Sequence, residues 1–367
     1  MDKDIFQLFF KLVRISLEES ANDFPIITPT QWQEIYTLAR QQAVVGVLYK
    51  SIEKLPKEKR PPRTILFKWI ADTDRIRQRN EQLNKVAHKV ETLLNGVGAQ
   101  GCILKGQGIA QLYPNPELRT SGDIDVWINC SRKEIISFVS KFTKSSRSVY
   151  HHADGLKVDG VEVETHFTPS YMANPFANRR LQKWIQVEKD KQFEHSTSVC
   201  GEGLIHVPTL AFNRVFILHH IYRHFFYEGI GLRQMMDFYY VLKQGFTKEE
   251  QKETLRIYKR LNILNFAGAA VYVLREIFGL EEEYYITPPN TKYGRVLLSE
   301  IMTGGNFGQV TSVNKKKETK LRRGWRIIKR SWRFLKYAPS EVIWIPYFKV
   351  MNNLVYVKKI KNPDYTD

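Results

Sequence analysis

Two aspartates one residue apart, at the start of an apolar run, constrain this chain more than any other feature. Asp123 and Asp125 flank Ile124 in the segment Ser-Gly-Asp-Ile-Asp-Val-Trp-Ile. The side chains of a β-strand alternate between its two faces, so both carboxylates point the same way and Ile124 points the other way. Two like charges side by side need a cation close to them. The sequence therefore predicts a strand with a cation site on one face.

A second acidic segment follows, in the run Val-Glu-Val-Glu-Thr-His-Phe. Strand alternation puts Glu162, Glu164 and His166 on one face of it. If the two acidic strands are neighbours in one sheet, Asp123, Asp125 and one of the two glutamates converge on a single point. The spacing alone leaves Glu162 and Glu164 as alternatives for the third carboxylate.

The convergence of carboxylates indicates the metal and the chemistry. Hard oxygen ligands suit Mg²⁺ or Mn²⁺, with substrate phosphates and waters filling the other octahedral positions. Such a set serves phosphoryl or nucleotidyl transfer by two metals, in which one metal activates the attacking oxygen and the other stabilises the departing pyrophosphate. We therefore expect a metal-dependent transfer site.

Candidate nucleotide-binding residues precede the acidic pair; they are Lys105, Gly106, Gln107, Gly108 and Arg119. Lys105 ends an apolar strand beside a Gly-x-Gly turn that opens a helix. There it either contacts a phosphate, together with the free N–H groups of the helix start, or simply reaches solvent. Arg119 either binds the triphosphate or offsets the charge of Asp123.

These residues carry a resemblance to a known family. The matching segments are Leu-Lys-Gly at 104–106, Tyr-Pro at 113–114, Arg119, Ser-Gly-Asp-Ile-Asp at 121–125 and Val-Glu-Thr-His at 163–166. Together they resemble the uncharacterised bacterial nucleotidyltransferase family, a branch of the DNA polymerase β-like superfamily. In that superfamily a glycine-led turn opens a helix, an Asp-x-Asp strand follows, and a later strand gives a third carboxylate. The resemblance extends over residues 30–300, and its specific part lies between Lys105 and His166.

The resemblance implies roles for individual residues. It implies that Asp123 and Asp125 are catalytic metal ligands and that Glu164, rather than Glu162, is the third. It also implies a nucleoside triphosphate as donor. The chain departs from the superfamily at the turn, which reads Gly-Gln-Gly where Gly-Ser or Gly-Gly is usual. The serine that would touch the triphosphate is therefore missing.

The periodicity of apolar residues predicts helices on both sides of this core. Helices are expected from Ile5, from a cap at Thr30, and over 64–94 up to Gly96. We expect an α+β fold, with a polymerase-β-like core made of a small mixed sheet and helices. The predicted division is 1–97 for an N-terminal helical region, 98–200 for the core, 201–303 for a C-terminal helical region and 304–367 for a basic, aromatic-rich tail.

Within the core, the pattern predicts alternating strands and helices. Strands are expected at 102–104 and 123–128, helices at 107–113 and 131–142, and a β-hairpin from 148–152 and 161–167. Ser131 with Glu134 reads as a capping box of the second helix. The sequence Asp159-Gly160 is typical of a hairpin turn.

Several polar residues outside the acidic strands have two interpretations. His166 either orients the carboxylate of Glu164 or is a structural histidine. Arg233 and Asp237, four residues apart, are expected to pair within one helix. The histidines of the segment after Pro208 have no acidic residue beside them, so packing or substrate contact is favoured over zinc binding; they are His219, His220 and His224.

The chain carries 56 Lys and Arg against 38 Asp and Glu, a net charge of +18, which favours anionic partners. Between residues 315 and 336 there are eleven basic residues and one acidic residue. In helical projection an apolar face runs along this segment; it comprises Leu321, Trp325, Ile328, Trp332 and Leu335. Residues 315–336 could therefore lie on anionic lipid, bind RNA, or pack the aromatic stripe on the body with a solvated basic face.

Cysteine use and hydropathy bear on the compartment. Cys102, Cys130 and Cys200 are far apart and have no metal-ligand spacing, which favours a reducing cytoplasm. The N-terminal apolar run is too short and interrupted for a signal peptide, and no stretch has the eighteen or so apolar residues of a spanning helix. We expect a cytoplasmic protein that is at most peripheral to the membrane.

The function expected from the sequence is transfer of a nucleoside monophosphate to an acceptor with release of pyrophosphate. The acceptor is open among a sugar, another small molecule, RNA and protein. The alternative is a non-catalytic protein of the same fold that binds a nucleotide or nucleic acid.

Overall fold

A computed structural model describes residues 3–143, 147–148, 150–199, 201–306 and 320–352. Its N-terminal helices are α1 (Lys3–Ser16), α2 (Pro29–Gln41), α3 (Val45–Lys54) and α4 (Arg63–Asn95). The cap of α2 is Thr28 and not the predicted Thr30, because Pro29 occupies the first helical position and Thr28 accepts the N–H of Gln31. Helix α4 ends at Asn95 and is capped by Gly96, as predicted.

The core that follows is a mixed sheet with short helices. Its elements are β1 (Gly101–Leu104), α5 (Gly106–Ala110), β2 (Ile124–Ile128), α6 (Arg132–Ser140), β3 (Arg147–Ser148), β4 (His152–Val158) and β5 (Val161–His166). The strand order is β1-β2-β5-β4-β3, in which β2 and β5 are parallel and the other neighbours are antiparallel. The capping box of Ser131 and Glu134 is present at the start of α6.

Two predicted elements of the core differ in the structure. Helix α5 stops at Ala110, not at Tyr113, because the N–H groups of Leu112 and Tyr113 bond to the third residue back and not to the fourth. Tyr113 itself precedes a proline, and helical geometry is disfavoured at such a residue. The hairpin turns at Asp159 and Gly160 as predicted, and both residues have positive φ, +49° and +76°. A two-residue turn of this kind pairs the residues on either side of it, so the first strand is β4 and not 148–152.

The rest of the described chain is mostly helical. It comprises α7 (Pro175–Glu194), β6 (Ser196–Val199), β7 (Gly203–His206), α8 (Leu210–Tyr227), α9 (Leu232–Lys243), α10 (Lys248–Arg260), α11 (Leu264–Phe278), α12 (Thr291–Gly304), α13 (Lys320–Trp332) and α14 (Pro339–Val342). Helix α7 and the hairpin of β6 and β7 are additional to the elements that the sequence predicts. The α+β fold class, a small mixed sheet flanked by helical regions, is confirmed. Over the described residues, every helix is too short or too polar to cross a membrane.

The two faces of the sheet pack against different parts of the chain. One face, with Ile103, Val126 and Val163, packs against α4 and α6. The other contributes Leu104 and Trp127 to a larger apolar cluster that also contains side chains of α1, α8, α9 and α11. This cluster joins the N-terminal and C-terminal helices, and the four-part division of the chain stays a prediction.

The basic segment is only partly described. Residues 315–319 lie outside the described residues, as does Cys200. Helix α13 buries Ile327 and Ser331 on the body, whereas Trp325 is 70% exposed and Trp332 is 50% exposed. Ile328 and Leu335 of the predicted stripe pack on the body, so that interpretation holds for them, whereas it does not hold for the two tryptophans.

A buried carboxylate attaches the C-terminal segment to the rest of the chain. Glu341 of α14 accepts the backbone N–H groups of Ala173, at 2.6 Å, and Asn174, at 3.2 Å. Burial raises the pKa of Glu341 to about 7, although the two N–H donors oppose the rise. Glu341 therefore links α14 to the segment that precedes α7.

We predict that the free energy of unfolding falls as Glu341 ionises. The pKa of Glu341 is about 7 in the folded state, above the ordinary value of 4.5. The contribution of protonated Glu341 to the free energy of unfolding is therefore fully present below pH 4.5 and is lost as the pH rises through about 7. The loss is at most about 3 kcal/mol. Denaturant unfolding at several pH values across this range should show that the free energy of unfolding falls less steeply with pH in Glu341→Gln than in wild type. Equal dependence on pH in the two proteins would contradict a raised pKa of Glu341.

Candidate functional site

Strand register brings the predicted acidic residues together. Parallel pairing of β2 with β5 places Asp125 opposite Glu164. Antiparallel pairing of β1 with β2 places Leu104 opposite Asp125, so Lys105 follows directly beside it. Three charged residues from three separate segments therefore meet at one end of the sheet.

Asp125 is the buried centre of this group, with 5% of the residue exposed. Its Oδ1 atom lies 2.9 Å from Lys105 Nζ and 2.9 Å from His166 Nε2. Burial alone would raise the pKa of Asp125, but Lys105 and His166 outweigh it and hold that pKa well below its usual range. Asp125 is therefore a charged carboxylate around neutral pH.

The two candidate glutamates have different neighbours in the structure. The Oε2 atom of Glu164 lies 3.6 Å from His166 Nε2 and 3.8 Å from His152 Nδ1, and its side chain is partly exposed. Glu162 instead lies 3.4 Å from Lys157 Nζ of β4 and is exposed. The position beside Asp125 therefore belongs to Glu164, which favours it as the third carboxylate.

Asp123 lies at the exposed edge of the group, one residue before β2. The negative charge of Asp125 is the main cause that raises the pKa of Asp123, followed by partial desolvation of its carboxylate by the surrounding protein, whereas Lys105 lowers it. Donor atoms of Asp125, Glu164 and His166 lie within 4.8 Å of one another, and Asp123 is not part of that group. Asp123 is thus an electrostatic neighbour of Asp125 at the mouth of the site.

Lys105 is held in an unusual backbone conformation. Its φ is +52° and its ψ is −137°, a combination that favours glycine, and Gly106 follows with φ of +37°. Such strain in a residue other than glycine is found mainly at functional sites. The turn directs the Lys105 ammonium group toward Asp125.

The next two residues of the turn face the protein interior. Gln107 is buried and its Nε2 donates a hydrogen bond to Oδ1 of Asn84 in α4. A Cβ atom on Gly108 would lie 2.8 Å from Cγ1 of Val207, so close packing accounts for that glycine. The side chain of Gln107 and the absence of one at Gly108 are therefore explained by packing of the protein interior.

The structure revises the predicted role of Arg119. Its guanidinium donates to both carboxylate oxygens of Asp237, at 2.7 and 2.8 Å, and to Ser121 Oγ at 2.8 Å. The hydroxyl of Tyr113 donates to the same Asp237 at 2.7 Å. Arg119 is only 1% exposed, so it has no access to a triphosphate, and its charge is offset by Asp237. The sequence predicted Arg233 as the partner of Asp237, and it did not predict Arg119, which lies on a different segment.

Two histidines of the site, His151 and His152, are not among the residues predicted from the sequence. His152 of β4 pairs in register with His166 of β5, and its Nε2 lies 2.7 Å from Asp154 Oδ1. His151 accepts a hydrogen bond at 2.8 Å, through Nε2, from Arg223 of α8. The adjacent histidines at the start of a strand that pairs with β5 were the signal that could have revealed them.

Of the three histidines of α8, His219 and His220 are buried, whereas His224 is only partly buried. Its Nδ1 lies 3.0 Å from Glu228 Oε2, so the expectation that no acidic residue lies beside these histidines is wrong for His224. His219 Nδ1 lies 2.8 Å from Ser170 Oγ, and burial lowers the pKa of His219 to about 3. The rings of His220 and His224 are in edge contact, with centroids 4.3 Å apart. No group of metal-ligating atoms among the described residues includes any of the three.

The donor set at Asp125 fits a divalent cation. Carboxylate oxygens of Asp125 and Glu164 are hard ligands of the kind that Mg²⁺ and Mn²⁺ prefer, and His166 Nε2 lies within 4.8 Å of both. His166 also holds Asp125 by a hydrogen bond, which is how residues around a metal site orient its ligands.

We predict that Arg119 stabilises the fold. Arg119→Met should reduce the free energy of unfolding by about 3–5 kcal/mol, because it leaves Asp237 charged and buried without its partner. Arg119→Met/Asp237→Leu should recover much of that loss, since neither charge remains. Denaturant unfolding of both variants and wild type tests this; an Arg119→Met protein as stable as wild type would contradict it.

Comparison with solved structures finds distant similarities. An antigenic nucleotidyltransferase-like protein from Paracoccidioides brasiliensis is 13% identical, with a TM-score of 0.35, over 59% of this chain and 97% of that one. A CCA-adding enzyme in complex with ATP is 12% identical, with a TM-score of 0.23, over 79% and 86% of the two chains. The Thermotoga maritima CCA-adding enzyme complexed with tRNA is 10% identical, with a TM-score of 0.18, over 77% and 83%. These TM-scores are too low to support an argument about function.

Comparison of the sequence itself is more informative. No curated protein matches significantly. The model of a family described as uncharacterised nucleotidyltransferase matches residues 28–279, more than half of the chain, and this range contains Asp123, Asp125 and Glu164. With its mixed sheet and the acidic group at the end of that sheet, the chain belongs to this uncharacterised nucleotidyltransferase family.

Proposed function

We propose that the protein is a metal-dependent nucleotidyltransferase, which moves a nucleoside monophosphate from a nucleoside triphosphate to an acceptor and releases pyrophosphate. One observation supports this most directly. The parallel register of β2 and β5 sets Asp125 beside Glu164, with Lys105 on the same carboxylate. Membership of the nucleotidyltransferase family agrees with it.

Asp123, Asp125 and Glu164 would hold Mg²⁺ or Mn²⁺. Bound there, divalent ions would neutralise phosphate charge and activate the acceptor oxygen. His166 keeps the carboxylate of Asp125 in place through the hydrogen bond from its Nε2 atom. Asp123 is the most exposed of the three carboxylates, at the side from which a substrate phosphate would approach.

Lys105 is the proposed triphosphate contact, together with the backbone of the turn from Gly106 to Gly108. Its side chain is 17% exposed and its ammonium group lies next to the carboxylates, where a phosphate oxygen would take part of its charge. The first N–H groups of a helix have no partner within the helix and can donate to phosphate. Gln107 and Gly108 would contribute through their backbone only, because the side chain of Gln107 faces the interior.

We predict that one nucleoside triphosphate binds in a metal-dependent way. Titration calorimetry with each of the four triphosphates, with Mg²⁺ or Mn²⁺, should show binding to wild type. Asp125→Asn should lose at least about tenfold in affinity, because a metal ligand loses its charge. Absence of binding of any triphosphate to a folded wild-type protein would remove the support for this function.

The two glutamates provide a matched control for the same titration. Glu164→Gln should weaken binding in the same way as Asp125→Asn. Glu162→Gln alters a carboxylate two residues away on the same strand, which pairs with Lys157, and should leave affinity within about twofold. Equal losses in the two glutamine variants would show that neither carboxylate has a specific role in the site.

An assay that follows a labelled nucleotide distinguishes the enzyme from the alternative, a non-catalytic binding protein of the same fold. With an α-phosphate-labelled triphosphate, we predict that label moves from the nucleotide to an acceptor fraction containing sugars, other small molecules, RNA or protein. Asp125→Asn should abolish the transfer while its circular dichroism spectrum is retained. Tight binding without transfer to any of these fractions would favour the binding protein.

A further inference from the structure

Helix α13 is attached to the body by one face. Ile327 and Ser331 are buried, and Phe334, just after the helix, packs on Phe225 of α8 with ring centroids 4.4 Å apart. Arg330 lies 3.3 Å from Glu300 of α12. The orientation of α13 on the protein is therefore set by apolar and ionic contacts together.

The opposite face of α13 combines two indoles with a positive charge. Trp325 and Trp332 are seven residues apart, two helical turns, so they share one side of the helix. Both are exposed, and Lys329 on the same side is exposed as well. Two large exposed aromatic side chains on one helix face mark an interaction surface.

A second exposed apolar stripe follows in the next helical segment, residues 345–352 and the turn before it. Its residues have helical spacing and each is at least 40% exposed; they are Ile343, Tyr347, Val350 and Met351. Three of these four side chains have no polar group, so what they can gain from a partner is burial of apolar area.

The charge of the region selects an anionic partner. Between residues 320 and 352 there are nine Lys or Arg residues and one acidic residue. The acidic residue is Glu341, which is buried and accepts backbone N–H groups. Arg330 and Arg333 pair with Glu300, and the remaining basic residues leave the region strongly positive.

We propose that these two stripes form a docking surface for an anionic lipid bilayer, which we call the bilayer-docking surface and define by Trp325, Lys329, Trp332, Ile343, Tyr347 and Val350. Tryptophan prefers the boundary between headgroups and acyl chains, and lysine can extend along it to anionic headgroups. A helix with this composition lies in the plane of the interface.

The aliphatic side chains favour lipid over RNA. Single-stranded RNA is bound by aromatic rings that stack on bases and by basic residues along the phosphates. Exposed Ile343, Val350 and Met351 have no such role, whereas they can enter the acyl boundary of a bilayer. The bilayer-docking surface contains none of the residues assigned to nucleotide binding, so this proposal stands independently of the proposed function.

Cosedimentation of the full chain with vesicles tests the proposal. Wild type should bind vesicles of phosphatidylcholine mixed with phosphatidylglycerol, more weakly as salt is added, and should not bind phosphatidylcholine alone. Trp325→Ala/Trp332→Ala should lower binding by about tenfold or more, because both indoles lose apolar burial. Lys329→Glu should lower it by about tenfold through charge reversal.

Matched variants control for exposure and charge. Phe67→Ala/Val187→Ala removes two equally exposed apolar side chains of α4 and α7, and Lys252→Glu reverses a charge on α10; both should bind vesicles as wild type does. Trp325 and Trp332 are exposed, so their loss should leave thermal unfolding unchanged.

Two results would overturn the proposal. One is failure of the wild-type protein to bind anionic vesicles. The other is vesicle binding that is unaffected by Trp325→Ala/Trp332→Ala, together with salt-sensitive binding to polyuridylate that Lys329→Glu removes. That second pattern would assign the basic face to nucleic acid.

Discussion

The proposed site depends on keeping the carboxylate of Asp125 charged inside the protein. Burying an ion without partners costs several kcal/mol, so the chain must bring opposite charge to it. Lys105 and His166 both reach the same oxygen atom, and they come from the segments on either side of β2. Since side chains alternate along a strand, a slip of one residue between β2 and β5 would turn Glu164 to the opposite face. The electrostatics of the site and the register of the sheet therefore depend on each other.

The ion pair between Arg119 and Asp237 extends this dependence to the C-terminal helices. It joins the segment just before β2 to α9, and Tyr113 completes it from the end of the α5 region. Nearby, Gln42 links the N-terminal helices to the same region: its Nε2 donates to the carbonyl of Ile301 and its Oε1 accepts the N–H of Leu232. Buried polar contacts of this kind fix orientation, because each one is costly to leave unmade. The helices beside the sheet thus have a defined position relative to Asp123 and Asp125.

The sequence was informative wherever a short-range pattern determines geometry. Alternation predicted the two acidic strands, and the Asp-Gly pair predicted the hairpin turn. The sequence was uninformative where a residue contacts a partner far along the chain. The position of Arg119 in the sequence suggests a phosphate ligand, and only the fold shows that it pairs with Asp237. His152 needed knowledge of which strand pairs with β5. Helix α7 escaped prediction because much of it is polar, with few buried apolar side chains such as Leu181 and Ile185.

The backbone of Lys105 has a consequence for how this protein can change. A side chain in that conformation costs about 1–3 kcal/mol, which glycine would avoid. Replacement of Lys105 by glycine would therefore relieve the backbone and raise thermal stability, but it would remove the ammonium group beside Asp125. If the charge at position 105 is needed, selection for heat resistance and selection for activity oppose each other at this residue. Thermotolerant versions of the protein would then have to gain their stability elsewhere in the chain.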